Sequence, residues 1–129
     1  MKIFGIGVDI VENNRFKKLI KKKIFINRIF SQKELNIFKN KKNKILYLSK
    51  RFSAKEAFVK SLGTGFRYNL CFRDISILND KKGKPYFLFN KKIKDILKKK
   101  YKLNRFKAHL SLSDEIKHSV SYVILQKFK

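Results

Sequence analysis

Residues 51–65 read RFSAKEAFVKSLGTG, and they place one carboxylate, Glu56, between two ammonium groups, Lys55 and Lys60, in an otherwise mostly apolar stretch. Glu56 and Lys60 are spaced i, i+4, so on a helix they share a face. One reading is an ordinary surface ion pair, worth about 0.3–0.5 kcal/mol. Taken alone, that reading is the commoner one. The other reading is a phosphate site: a carboxylate takes a hard cation through oxygen, and neighbouring ammonium groups neutralise phosphate oxygens. The small residues Ala54 and Ala57 beside the charges leave room for a ligand. Lys55 either touches phosphate or only flanks Glu56 and faces water.

A second carboxylate, Asp9, ends the apolar run of GIGVD. In that position it is either the N-cap of a following helix or a ligand, and position alone favours the cap. Magnesium needs only one or two protein carboxylates, because waters and substrate phosphates complete its shell. Asp9 and Glu56 would therefore suffice. Gly5-x-Gly7 is not a dinucleotide fingerprint, since the third glycine and the helix start are missing. The Gly-Thr-Gly of residues 63–65 follows a helical stretch, so it is no P-loop. His109, beside Ser111 and Ser113, reads by itself as a half-exposed strand histidine. The single Cys71 excludes an internal disulfide and a cysteine-based zinc site.

These groups must be positioned by the elements around them. KIFGIGVDI alternates and predicts a first strand buried on at least one face. NNRFKKLIKK predicts a short amphipathic helix. Ser31 with Glu34 three residues on is a capping box, so a helix starts there. The spacing of Ile45, Leu48, Phe52, Val59 and Leu62 predicts a long helix from about 44 to 62, closed by Gly63. DISIL (74–78) and PYFLF (85–89) read as strands of a hairpin whose loop contains Gly83. NKKIKDILKKKYKL reads as an amphipathic helix, and 106–113 and 119–126 as two closing strands. The order β-α-α-α-β-β-α-β-β predicts one α+β domain over 1–129, with a mainly antiparallel sheet and helices packed on one face.

The chain has 129 residues, 43% hydrophobic and 33% charged, which suits one globular core. It lacks the roughly 18-residue apolar run of a membrane span, and its N-terminus lacks a signal-peptide layout. Both point to the cytoplasm. The net charge of +25 suggests a small basic nucleic-acid-binding protein as an alternative. However, lysine far outnumbers arginine and is spread along the whole chain, as A/T-rich codon usage would produce. Base and phosphate recognition would draw more on arginine.

Four blocks resemble one family: GIGVDIVE (5–12), RFSAKEAFVKSLGTG (51–65), GKPYF (83–87) and HLSLSDE (109–115). In this order and spacing they are similar to the holo-acyl-carrier-protein synthases, small bacterial 4'-phosphopantetheinyl transferases. The resemblance implies transfer of 4'-phosphopantetheine from coenzyme A to a serine of apo acyl carrier protein, with release of 3',5'-ADP, for fatty acid biosynthesis. It implies Mg2+ on Asp9 and Glu56, and Lys60 on the phosphates. The base is either Glu56 or a metal-held water. It further implies coenzyme contacts at Gly83, Lys84, Pro85 and His109. An acidic carrier would dock on a basic helix carrying Arg15, Lys18, Lys21 and Lys22. The family forms a homotrimer with active sites between subunits, and the resemblance carries over neither nucleic-acid nor membrane binding.

Overall fold

The computed structural model describes Met1–Lys129 throughout. Strand β1 (Lys2–Glu12) is followed by two 3-10 turns, Asn13–Phe16 and Leu19–Lys21. Helices α1 (Lys23–Ile29), α2 (Gln32–Phe38) and α3 (Lys44–Leu62) come next. The hairpin β2 (Ile75–Asn79) and β3 (Pro85–Phe89), helix α4 (Lys91–Tyr101) and strands β4 (Arg105–Asp114) and β5 (His118–Phe128) complete the chain. Two antiparallel sheets form, one ordered β1-β5-β4 and the other β2-β3. The α+β expectation holds.

Helix α3 is the centre of the molecule. Its Asn43 side chain caps the N-terminus by accepting from the Leu46 N–H, and Gly63, at φ +83°, ends it in the left-handed region. One side of the helix packs on β1 and β5. Along its length it contributes Ala57, Phe58, Val59 and Leu62 to a core with β5 and α4, and Tyr47, Leu48 and Phe52 to a second core with α1. The capping box at α2 forms as expected, with Ser31 Oγ accepting from the Glu34 N–H and Glu34 Oε1 accepting from the Ser31 N–H.

The pleat of β1 sorts its residues by size. Gly5, Gly7, Asp9 and Val11 face α3, whereas Ile6, Val8 and Ile10 face outward and are 57%, 55% and 63% exposed. Two glycines on the inner face let the strand lie directly on the helix. A Cβ at Gly5 would stand 2.0 Å from the Ser61 carbonyl oxygen, and one at Gly7 only 1.8 Å from the Ala57 carbonyl oxygen. That contact is the physical reason for Gly5-x-Gly7.

Residues 13–22 differ from expectation. They form the two 3-10 turns rather than a helix, and the regular helix starts only at Lys23. A buried polar link explains the tight turn. Asn13 Nδ2 donates to the carbonyls of Glu115 and Ile116 at 3.0 and 3.2 Å, and its Oδ1 accepts from Ser119 Oγ at 2.7 Å. The chain is thus pinned to the β4–β5 turn directly after β1.

Gly7→Ala should destabilise the fold by about 3 kcal/mol or more, the upper range for overpacking against atoms that cannot yield. Thermal or urea denaturation measures it. A loss below about 0.5 kcal/mol would contradict the close contact.

Candidate active site

The strand–helix contact at Gly7 brings together residues far apart in sequence. Asp9 is the next inward-facing residue of β1, and Glu56 adjoins the Ala57 that Gly7 touches. Lys60, one turn further along α3, donates through Nζ to Asp9 Oδ1 and to the Val8 carbonyl, each at 3.0 Å. The Lys60 side chain is 53% exposed and that of Asp9 13%. The ammonium therefore lies at the mouth of the site and the carboxylate inside it.

Asp9 Oδ2 is buried and has no hydrogen-bond partner. Glu56 is half-buried and forms no salt bridge. Burial holds its carboxyl above the ordinary range, the Asp9 charge pushes it higher, and Lys60 and Arg15 pull the other way. A carboxylate oxygen without a donor, close enough to a second carboxylate to oppose its ionisation, is a site short of positive charge. A hard divalent cation would correct both. No third histidine, cysteine or acidic residue joins them. The donor set therefore fits magnesium, which leaves most of its shell to water and phosphate, and does not fit a fully protein-ligated ion such as structural zinc.

Two local readings are overturned here. Asp9 is not an N-cap: β1 continues to Glu12, and the turn after it has no side-chain cap. Lys60 pairs with Asp9 rather than with Glu56, because the strand supplies a carboxylate to it across the helix–sheet contact.

Lys55 neither faces water nor reaches the site. Its side chain is 0% exposed and is ion-paired to Glu34, also 0% exposed, with Nζ to Oε1 at 2.5 Å. It also donates to the Ile29 and Phe72 carbonyls at 2.6 and 3.1 Å. Burial lowers the Lys55 pKa to about 8, and the Glu34 carboxylate opposes that shift.

The remaining expected residues are not gathered around Asp9 within one chain. Gly83, at φ +88°, Lys84 and Pro85 lie at the β2–β3 turn, where Asp80 Oδ1 accepts from the Lys82 and Lys84 N–H groups. This turn is tied to α3 by Arg51, whose Nη2 donates to Asn79 Oδ1 at 2.7 Å. Arg51 lies about 140° around the helix from Glu56. His109 pairs with Ile124, on the opposite sheet face from Asp9, and its Nε2 lies 2.7 Å from Gln126 Oε1. Arg15, Lys18, Lys21 and Lys22 are all exposed, on the 3-10 segment beside the site. Arg15 stacks on Phe52, 5.1 Å from its ring centroid, and its charge reaches Glu56.

Sequence reasoning missed Arg51. It is 5% exposed, stacks 3.9 Å over the Tyr47 ring, and leaves Nε without a partner. With Lys41, Lys42 and Lys50 it lines a pocket of about 440 Å3. The signal was its position among apolar residues in the 44–62 pattern, where an exposed arginine would be out of register.

The 4'-phosphopantetheinyl transferase superfamily matches residues 5–119 of the chain. A holo-[acyl-carrier-protein] synthase of Pelagibacter ubique (strain HTCC1062) is 58% identical over 127 residues, covering 98% of this chain and 99% of that protein. The crystal structure of holo-[acyl-carrier-protein] synthase from Neisseria meningitidis superposes with a TM-score of 0.89 at 38% identity, over 98% of this chain and 100% of that one. A holo-(acyl-carrier-protein) synthase from Bacillus anthracis in complex with CoA (3',5'-ADP) superposes with a TM-score of 0.81 at 34% identity, over 98% of each chain.

The raised pKa of Glu56 gives a stability prediction of definite sign. A carboxyl whose folded pKa lies above its unfolded value stabilises the fold fully only at pH below the unfolded value. That contribution is lost as pH rises through the folded one. At pH 7, without divalent cations, Glu56→Gln should therefore melt at or above the wild-type temperature. Its advantage should shrink as the pH falls towards 4. Calorimetry across that range checks it, and a lower melting temperature for the variant at pH 7 would contradict the account.

Proposed function

The chain belongs to the 4'-phosphopantetheinyl transferase superfamily, and from that premise we propose how its own residues carry the transfer. The match to proteins named holo-[acyl-carrier-protein] synthase supports a reaction in which a serine hydroxyl of acyl carrier protein attacks the pyrophosphate of coenzyme A. A new P–O bond forms to the serine, the P–O bond to 3',5'-ADP breaks, and the serine proton passes to a base. Such a reaction depends mainly on positioning and charge neutralisation.

The observation that carries our reading is the unpartnered Asp9 Oδ2 in a site where the Asp9 charge also acts on Glu56. Asp9 and Glu56 would hold Mg2+, which when bound neutralises pyrophosphate charge and that of the leaving group. Lys60, anchored on Asp9 at the site mouth, turns its remaining donor capacity to phosphate oxygens. Glu56 is the carboxylate with raised proton affinity here, and so the protein's own candidate for taking the serine proton. The pocket of Arg51, Lys41, Lys42 and Lys50 supplies cationic groups for a further coenzyme phosphate.

A homotrimer accounts for the residues that one chain leaves apart. The outer sheet face presents Ile6, Val8, Ile10 and Tyr122 to solvent, an apolar stripe unusual for an isolated subunit. His109 lies on the same face. Burying this face against a neighbouring copy would set His109 at the boundary between subunits. The exposed Arg15, Lys18, Lys21 and Lys22 suit docking of an acidic carrier, a role that speeds encounter and weakens with salt. No helix is long and apolar enough to cross a membrane. Fatty acid biosynthesis in the cytoplasm is the setting we assign.

Incubation with apo carrier protein, coenzyme A and magnesium should add the phosphopantetheine mass to the carrier, read by mass spectrometry. Glu56→Ala and Asp9→Ala should each lower the rate by at least about 10²-fold while the chain stays folded. Full activity in either variant would refute the metal pair. Light scattering should give three times the chain mass, falling to one on Val8→Glu. An unchanged mass in that variant would contradict assembly through the outer face.

A further inference from the structure

Lys55 takes no part in the transfer described above, yet three separate elements hold it. Its ammonium donates to Glu34 Oε1 of α2, to the Ile29 carbonyl at the end of α1, and to the Phe72 carbonyl before β2. Three donors meet three acceptors, so its hydrogen-bonding capacity is filled. Glu34 is equally committed: Oε1 also accepts from the Ser31 N–H at 3.0 Å, and Oε2 from the Ile77 N–H at 2.9 Å.

Stability alone is a poor reason for such a pair. Desolvating two charges offsets most of their attraction, and an apolar pair of similar volume often holds a core as well. The pair supplies direction that apolar packing lacks, because an ammonium on three acceptors tolerates little rotation. On the opposite side the helix meets β1 through backbone packing at Gly5 and Gly7, and its polar ties to the sheet are the buried hydroxyl pair of Ser53 with Ser121 and the exposed Lys60, which donates to Asp9 Oδ1 and the Val8 carbonyl. Only the Lys55 side carries a fully buried charge pair.

We propose that Lys55 is a positioning residue for the transfer. By bonding Glu34, Ile29 and Phe72 it fixes the rotation of α3 about its axis, and with it the place of Glu56 opposite Asp9. The inference rests on the reading that Asp9 and Glu56 form the reactive pair. The lever is short. Glu56 follows Lys55 directly, about 100° around the helix, and a side-chain terminus lies about 5–6 Å from the axis. A rotation of about 10° moves the Glu56 carboxylate by about 1 Å, a misplacement that can cost about 10²-fold in rate.

The test compares four full-length variants under the carrier-modification assay with saturating magnesium. Lys55→Met/Glu34→Gln removes the charge pair but keeps a residue able to complete the capping box. It should fold, leave KM for coenzyme A within about twofold, and lower kcat by about 10²-fold. Glu34→Gln alone gives up the acceptor for the Ile77 N–H but keeps the lysine hydrogen bonds through its amide oxygen, and should hold kcat within about threefold. Lys55→Arg cannot seat its rigid fork on the same three acceptors, and should lower kcat at least about tenfold. A folded double variant or folded Lys55→Arg with wild-type kcat would overturn the proposal, as would a loss confined to KM. Failure of both to fold while Glu34→Gln folds would also overturn it, since the role would then be structural. Glu56→Gln separates the two levels: activity there sinks the reactive pair itself, whereas an inactive Glu56→Gln beside active Lys55 variants sinks only the positioning role.

Discussion

At Gly7 the backbone of β1 lies so close to the Ala57 carbonyl of α3 that no side chain fits between them. The rest of the site depends on this approach. It sets Asp9, the next inward residue of the strand, beside the helix turn that carries Glu56 and Lys60. A larger residue at position 7 would push strand and helix apart and separate the two carboxylates. The contact also has an electrostatic cost, because it holds two acidic groups near each other with one oxygen lacking any donor. Lys60, bound to Asp9 Oδ1, compensates that arrangement only in part. Such uncompensated charge is a common mark of a site completed by its ligands.

Helix α3 works as a divider between two kinds of polar chemistry. Towards β1 it offers Glu56 and Lys60 at a partly open surface. Towards α1, α2 and β2 it closes Lys55 and Arg51 among aromatic rings and carbonyls. Both sides use charge, but only the first holds two carboxylates close together. The exposed lysines elsewhere contribute to the net +25 without forming a comparable site. The charge of Arg15 links the exposed basic segment to Glu56. The 3-10 turns that carry this segment are fixed by Asn13 on the β4–β5 turn, so the basic surface has a defined place next to Asp9 and Glu56.

Much of this was legible locally. The limits of α3 at 44 and 62, the Ser31–Glu34 capping box, the β2–β3 hairpin and the closing strands followed from periodicity and turn residues. Those signals need only near neighbours in sequence. What the sequence hid was set by partners far along the chain. Residues 13–22 carry an amphipathic pattern, but the Asn13 bonds to residues 115, 116 and 119 impose a tighter turn. Lys60 has an acceptor at i−4, yet a strand carboxylate takes its proton donors instead. Lys55 looks like a surface lysine until Glu34 arrives from another helix to bury it. Asp9 and Glu56 were nameable through their family resemblance, while the reason for Gly5-x-Gly7 emerged only from the strand–helix contact.

The central claim is that Asp9 and Glu56 together hold one divalent cation when coenzyme is bound. Manganese(II), which is paramagnetic, reports this directly through the loss of its free-ion resonance in solution. In the presence of coenzyme A, the wild-type chain should remove one equivalent of free manganese per site beyond what coenzyme A alone removes, and Asp9→Asn/Glu56→Gln should leave the resonance at the level of coenzyme A alone. Equal binding by both proteins, or no binding by the wild type, would contradict the account.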